Sequence, residues 1–120
     1  CSRNAVMTVA SVKKWIDITS DLGYNTFMLY MEDCYDVEGE PYFGWMRPRY
    51  TQEELKELDD YAYSLGIEMI PCMQTLGHLT EVLKRHKPYG GFKEDNSTLL
   101  VGGDRTYALI EKMIASASAP

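Results

Sequence analysis

The chain has 120 residues, 45% of them hydrophobic and 25% charged, a composition that suits one folded domain with a moderate core and argues against a disordered segment. A formal charge of -6 argues against a nucleic-acid partner, which needs an excess of Lys and Arg to neutralise phosphates. No apolar run approaches the roughly 20 residues of a membrane span, and no basic, then apolar, leader opens the sequence, so no membrane partner is expected. Cys1, Cys34 and Cys72 are far apart without CxxC spacing and read as free thiols, at least one of them buried.

In chain order, "CSRN" reads as the end of a strand that leaves Arg3 on its rim. A helix is predicted from the N-cap Thr8 through Val9, Val12, Ile16 and Leu22, closed by Gly23. Tyr24 to Met31, "YNTFMLYM", reads as a strand buried on both faces. The following "EDCYDVEGE" holds Glu32, Asp33, Asp36, Glu38 and Glu40; its spacing does not match a calcium loop and is expected to be a solvated loop. The aromatics of "PYFGWMRPRY", Tyr42, Phe43, Trp45 and Tyr50, suit either stacking on sugar faces or packing of the loop on itself.

A second helix opens on "TQEE", where Thr51 and Glu54 form a capping box, and carries Leu55, Leu58, Ala62 and Leu65 before Gly66 ends it. "IEMIPCMQ" follows as the second strand, then a short helix in "HLTEVLKRH". A last helix is expected from the cap Asp104 through Tyr107, Ile110, Met113, Ile114 and Ala117.

The order helix, Leu-Gly, strand occurs twice, at Gly23 and at Gly66. Helices alternating with buried strands imply α/β structure with βαβ crossovers and a parallel sheet, either doubly wound or a (β/α)8 barrel. Both place the ligand site beyond the carboxyl ends of the strands. That selects Glu32, Asp33, Gln74, Thr75, His78 and Arg3.

Asp33 and His78 follow neighbouring strands, and a carboxylate that accepts from one imidazole nitrogen fixes its tautomer and raises its basicity. The same histidine also reads as a structural residue, Gly77 as a turn residue with positive φ, and Arg3 as a surface ion pair. A metal cluster of His78, Glu81 and His86 lacks the HExxH spacing, so no metal is expected. Signatures of nucleotide binding and serine hydrolysis are absent from the sequence.

The ordered set "SRN", "LGYNTFMLYMED", "RYTQEELKELDDYAYSLGIEMIP" and "LGH" resembles the catalytic barrel of glycoside hydrolase family 20, the β-N-acetylhexosaminidases. The matching positions are Arg3, Asn25, Asp33, Tyr50, Thr51, Ala62, Gly66 to Glu68, Ile70, Pro71, Gly77 and His78. Departures occur at Cys72, Gln74 and Leu76, where the family carries Glu, a second acid and Pro, and in the loop after Asp33.

The resemblance implies a partial (β/α)8 TIM barrel, about the first three βα units, with residues 1–120 a fragment of one catalytic domain and no second domain. It implies a retaining exo-β-N-acetylhexosaminidase acting on glycans that end in β-linked N-acetylglucosamine or N-acetylgalactosamine, with no cofactor. In such enzymes a Glu protonates the leaving oxygen while the substrate's 2-acetamido group attacks the anomeric carbon, oriented by an Asp. That Asp-Glu pair is expected beyond Pro120, leaving the fragment inactive alone. His78 and Asp33 then look like a relay supporting the missing acid, and Arg3 like a donor to the sugar's C3 and C4 hydroxyls. A carbohydrate-binding barrel without catalysis, or a metal-dependent barrel hydrolase, are the alternatives. The compartment, cytoplasmic or secreted, is left open.

Overall fold

The first two long helices begin where their cap residues predict, and the sheet follows from the two Leu-Gly turns. The computed structural model describes residues 2–85 and 87–120; Cys1, the third thiol, and His86 of the weighed metal cluster lie outside the described residues. Helix α1 spans Val9–Asp21, with the Thr8 hydroxyl accepting from the Ser11 N–H. Val12 and Ile16 are fully buried on its inner face, whereas Leu22, expected in the same stripe, sits past the helix end and is 70% exposed. Gly23 takes φ 81°, turning the chain into strand β1, Thr26–Tyr30.

Helix α2, Gln52–Ser64, carries the complete capping box: Glu54 N–H donates to the Thr51 hydroxyl, and the Glu54 carboxylate accepts from Thr51 N–H at 3.0 Å. Leu55, Leu58 and Ala62 are buried, but Leu65 is the C-cap and turns outward. Strand β2, Glu68–Cys72, then pairs parallel with β1, in the register Thr26↔Glu68 to Tyr30↔Cys72. The βαβ unit is thereby realised, with α1 against α2 and α2 against β2.

The strands are not buried on both faces. Side chains alternate along a strand, and the helices cover only one face: Phe27, Leu29 and Met69 pack into the core, whereas Met28 on the other face is 61% exposed. Ser2 to Asn4 form a turn rather than a strand end, and Ser2 docks on the end of β1 through its N–H and hydroxyl, both donating to the Tyr30 carbonyl.

A short helix α3, Thr80–Arg85, runs toward a 3-10 turn at Lys87–Phe92, and helix α4 spans Asp104–Ser118. The N-cap of α4 is Gly103 rather than Asp104, without a side-chain cap. Its buried face is Thr106, Leu109, Met113, Ser116 and Ala117, so Tyr107 and Ile114 of the predicted stripe face solvent. The Thr106 hydroxyl explains part of the rotation, because it turns inward to donate to the Leu100 carbonyl at 2.8 Å. The acidic loop is likewise not solvated along its length: Glu32, Asp33, Cys34 and Tyr35 are all buried.

The cap and the core give separate expectations for urea unfolding. Thr51→Ala should cost about 1 kcal/mol through the lost capping box. Leu58→Ala, at a fully buried position, should cost about 2 to 5 kcal/mol. Equal midpoints for Thr51→Ala and the parent would show that the cap carries no stability.

Candidate active site

Each strand is followed, in the loop that leaves it, by a residue held in the left-handed region. After β1, Glu32 takes φ 55°; after β2, His78 takes φ 60°. Side chains other than glycine seldom adopt this conformation, at a cost of about 1 kcal/mol or more, and they keep it only where the surroundings over-determine it. The positive φ anticipated at Gly77 belongs instead to the histidine after it.

The supports are visible on each side. The His78 loop is pinned by the fully buried Leu79 and Leu99, with Leu79 N–H donating to the Ser97 carbonyl and Leu99 N–H to the Leu76 carbonyl. On the β1 side, Met31 N–H donates to the Cys72 carbonyl at 2.9 Å, extending the parallel pairing to the edge of Glu32. Glu32 and His78 line one cavity of about 520 Å³ together with Arg3, Glu81, Ser97 and Thr98.

Arg3 reaches this cavity half-exposed. Its Nε lies 3.5 Å from the Glu32 Oε1, and its Nη2 donates to the Tyr30 hydroxyl at 3.2 Å. The carboxylate of Glu32 raises the pKa of Arg3 further. Glu32 itself is 3% exposed, and its Oε2 accepts no hydrogen bond among the described residues. Burial pushes its pKa above the ordinary carboxylate value, against the opposing pull of Arg3.

Asp33 faces another way. It is buried, its Oδ1 accepts from Arg47 Nη1 and from the Cys34 thiol, and it makes no hydrogen bond with His78. Burial raises its pKa too, with Arg47 pulling it down. The Cys34 thiol is pushed up to about 12, first by burial and then by the Asp33 charge, which removes it as a nucleophile at neutral pH. Cys34 and Cys72 are both free thiols, as the spacing predicts.

Of the three residues to which the family resemblance gives a site role, Arg3 and His78 therefore meet at one cavity, and Asp33 lies outside its lining. Glu32 takes the place beside them. The order of elements places both acids of the Glu32-Asp33 doublet at the rim, but nothing in the doublet tells which of them turns toward the cavity. Arg47 gave no signal, since its partners are distant in sequence: Asp33, the Ser2 carbonyl and the Arg3 carbonyl. In the aromatic loop, Phe43 is buried edge-on against Tyr35 of the acidic stretch at 5.3 Å, while Tyr42 and Trp45 form an exposed tilted pair.

No family model matches the chain. Among characterised proteins, hexosaminidase D of Bos taurus is 31% identical over 96 residues, covering 78% of this chain and 28% of the relative. The N-acetyl-β-hexosaminidase of Streptomyces plicatus, solved with Thio-NAglucal, overlays with a TM-score of 0.81 at 24% identity, over 94% of this chain and 28% of that one. The glycoside hydrolase family 20 β-N-acetylhexosaminidase of Streptomyces coelicolor gives 0.73 at 23% identity, with the same two coverages. The chitobiase of Flavobacterium johnsoniae gives 0.80 at 20% identity, covering 94% of this chain and 20% of that one.

The chain thus spans a little over a quarter of the length of hexosaminidase D and of the two Streptomyces enzymes. Its mixed α/β fold with two parallel strands matches the N-terminal part of family 20 barrel proteins, and the resemblance seen in the sequence holds over most of the chain.

Removing Arg47 tests the electrostatics. Arg47→Met leaves Asp33 buried without its counter-charge and should cost about 3 kcal/mol at neutral pH. The Asp33 pKa, already raised in the fold, rises further in the variant. A raised folded pKa means that the native state keeps a proton the unfolded state has lost, so stability is present at low pH and falls as pH rises through the folded value. The gap between variant and parent should therefore narrow on acidification below neutrality, as followed by urea unfolding across pH. A gap independent of pH would assign the contribution of Arg47 to its carbonyl contacts alone.

Proposed function

We propose, from the family likeness just described, that this chain is the opening part of a (β/α)8 catalytic barrel, about its first three βα units, in a retaining exo-β-N-acetylhexosaminidase. Residues 1–120 form one part of a single catalytic domain, and the remainder of the barrel supplies the Asp-Glu pair. The observation that carries this is the meeting of Arg3, Glu32 and His78 around one cavity at the carboxyl ends of adjacent parallel strands. Catalytic groups in barrels occupy that end because the loops there are free to vary while the strands hold them in place.

The uncovered face of the sheet supports the barrel. Met28 is exposed, and Ile70, which pairs with it across β1 and β2, is only partly buried; a closed barrel fills its interior with such side chains. Complexes of the relatives agree with a sugar ligand, since a Streptomyces plicatus β-hexosaminidase variant was solved with the product GlcNAc.

In this reading the substrate ends in β-linked N-acetylglucosamine or N-acetylgalactosamine. Arg3 donates to its C3 and C4 hydroxyls. The acid from the remainder of the barrel protonates the leaving oxygen while the 2-acetamido oxygen attacks the anomeric carbon with inversion; water then opens the cyclic oxazolinium with a second inversion, giving its proton to the same carboxylate, so the configuration is retained overall. His78 hydrogen-bonds to that acid, so that the acid keeps its proton until the leaving group needs it, whereas Asp33 stays with Arg47 and Cys34 and serves the site by holding this corner together. No cofactor takes part.

The full-length protein should release nitrophenol from nitrophenyl N-acetyl-β-glucosaminide and be inhibited by a thiazoline analogue of the cyclic intermediate. His78→Ala should lower kcat by about a hundredfold or more. Equal hydrolysis of the unsubstituted β-glucoside would defeat the acetamido-assisted mechanism. Binding of N-acetylglucosamine with no hydrolysis would mark a carbohydrate-binding barrel instead.

A further inference from the structure

Arg3 sits on a turn at residues 2–4, and residues 3–5 are all exposed. A long side chain in such a place has many rotamers, and each must be given up before it can hold a ligand in one orientation. Two contacts remove that freedom here. Nε faces the Glu32 Oε1 at 3.5 Å, and Nη2 donates to the Tyr30 hydroxyl at 3.2 Å. The Tyr30 hydroxyl is in turn fixed by the Gln74 side-chain amide, which donates to it at 3.2 Å. Because the guanidinium is planar, restraints on two of its nitrogens define its plane. Its third nitrogen, Nη1, makes no hydrogen bond to a described residue.

Glu32 is a costly way to provide one of those restraints. Its carboxylate is buried, one oxygen lacks a hydrogen-bond donor among the described residues, and its backbone is in the left-handed region. The charges around it are mixed, with Arg3 and Arg47 attracting while Asp33 and Glu81 repel. A buried ion pair of this quality adds little to stability over an apolar substitute. Its geometry instead suits preorganisation of a ligand-binding group.

We propose that Glu32 is a positioning residue that aims the Arg3 guanidinium at the vicinal hydroxyls of the sugar, with Tyr30 and Gln74 as the second brace. This rests on the reading of Arg3 given above. The discrimination for a sugar bearing both hydroxyls comes from the unspent Nη1 edge, whose direction Glu32 sets.

The test is calorimetric binding of N-acetylglucosamine, and of its 3-deoxy and 4-deoxy analogues, to the full-length protein and to Glu32→Gln, Glu32→Ala and Arg3→Ala. Circular dichroism and thermal melts confirm that each variant is folded, and Glu32→Gln preserves size where Glu32→Ala fails to fold. Arg3→Ala should weaken binding of the parent sugar about tenfold to a hundredfold, the range for a hydrogen bond from a charged donor. Glu32→Ala should cost a similar factor, and Glu32→Gln, which keeps an acceptor, a smaller one. Adding Glu32→Ala to Arg3→Ala should cost less than about threefold more, and both Glu32 losses should shrink on the deoxy analogues, as expected for coupled residues. Additive losses that are equal on all three sugars would overturn the positioning role while leaving the reading of Arg3 intact. Unchanged binding in Arg3→Ala would overturn both.

Discussion

The guanidinium of Arg47 joins its own loop to the end of β1 and to the N-terminal turn. It donates to Asp33 at the end of β1 and to the Ser2 and Arg3 carbonyls of the N-terminal turn, and its Nη1 lies 3.9 Å from Glu32. Two buried carboxylates side by side repel and are poorly solvated, so without a cation among them this corner has no stable charge state near neutral pH. Arginine suits the place because its fork serves carboxylate and carbonyl oxygens together, which the single ammonium of lysine does less well. Fixing the backbone of Arg3 in this way sets where its side chain starts from.

The loop that carries Arg47 is itself built to come close. Tyr35 and Tyr50 bridge its base, with Tyr50 N–H donating to the Cys34 carbonyl and Asp36 N–H to the Tyr50 carbonyl, each at 3.0 Å. The buried Tyr50 hydroxyl donates to the Met7 carbonyl at 2.7 Å, tying the loop to the segment before α1. At Gly44, φ is 65°, and a Cβ would collide with the Asp33 carbonyl. Glycine is required there because the loop backbone lies directly on the residue that Arg47 neutralises. The loop is therefore part of the site's foundation, although its tip, with Trp45 and Met46, stays exposed.

The cavity is assembled by two equivalent devices. In each βα unit the strand leaves its ladder, a residue takes the left-handed conformation, and a buried apolar residue nearby fixes the loop: Glu32 beside Met31, and His78 beside Leu79. Parallel pairing then sets these two points on the same edge, since Tyr30 and Cys72 are register partners. This is the general advantage of parallel α/β architecture for chemistry, with rigid strands beneath and variable loops above. The likeness to family 20 proteins is a likeness of this frame, carrying an acidic loop that departs from the family pattern.

The sequence by itself determined the elements whose causes are local. Thr8 and the Thr51/Glu54 box mark helix starts, Gly23 and Gly66 mark the turns into the strands, and the repeated order implies parallel pairing; all of these are present. It also picked out the rim, because the carboxyl ends of parallel strands follow from the order of elements alone, and Arg3 and His78 do share a cavity there. Tertiary structure decided whatever depends on distant neighbours. Which face of α4 is buried was settled by a Thr106 hydroxyl that reaches Leu100, and exposure of Met28 by helices that cover one face of the sheet. Which acid of the doublet faces the cavity was settled by Arg47, fourteen positions beyond Asp33, whose charge draws that carboxylate to itself and leaves Glu32 for Arg3. Hydrogen-bond and charge partners far apart along the chain leave no periodic trace in it, whereas caps and turns do, because their partners lie within a few residues.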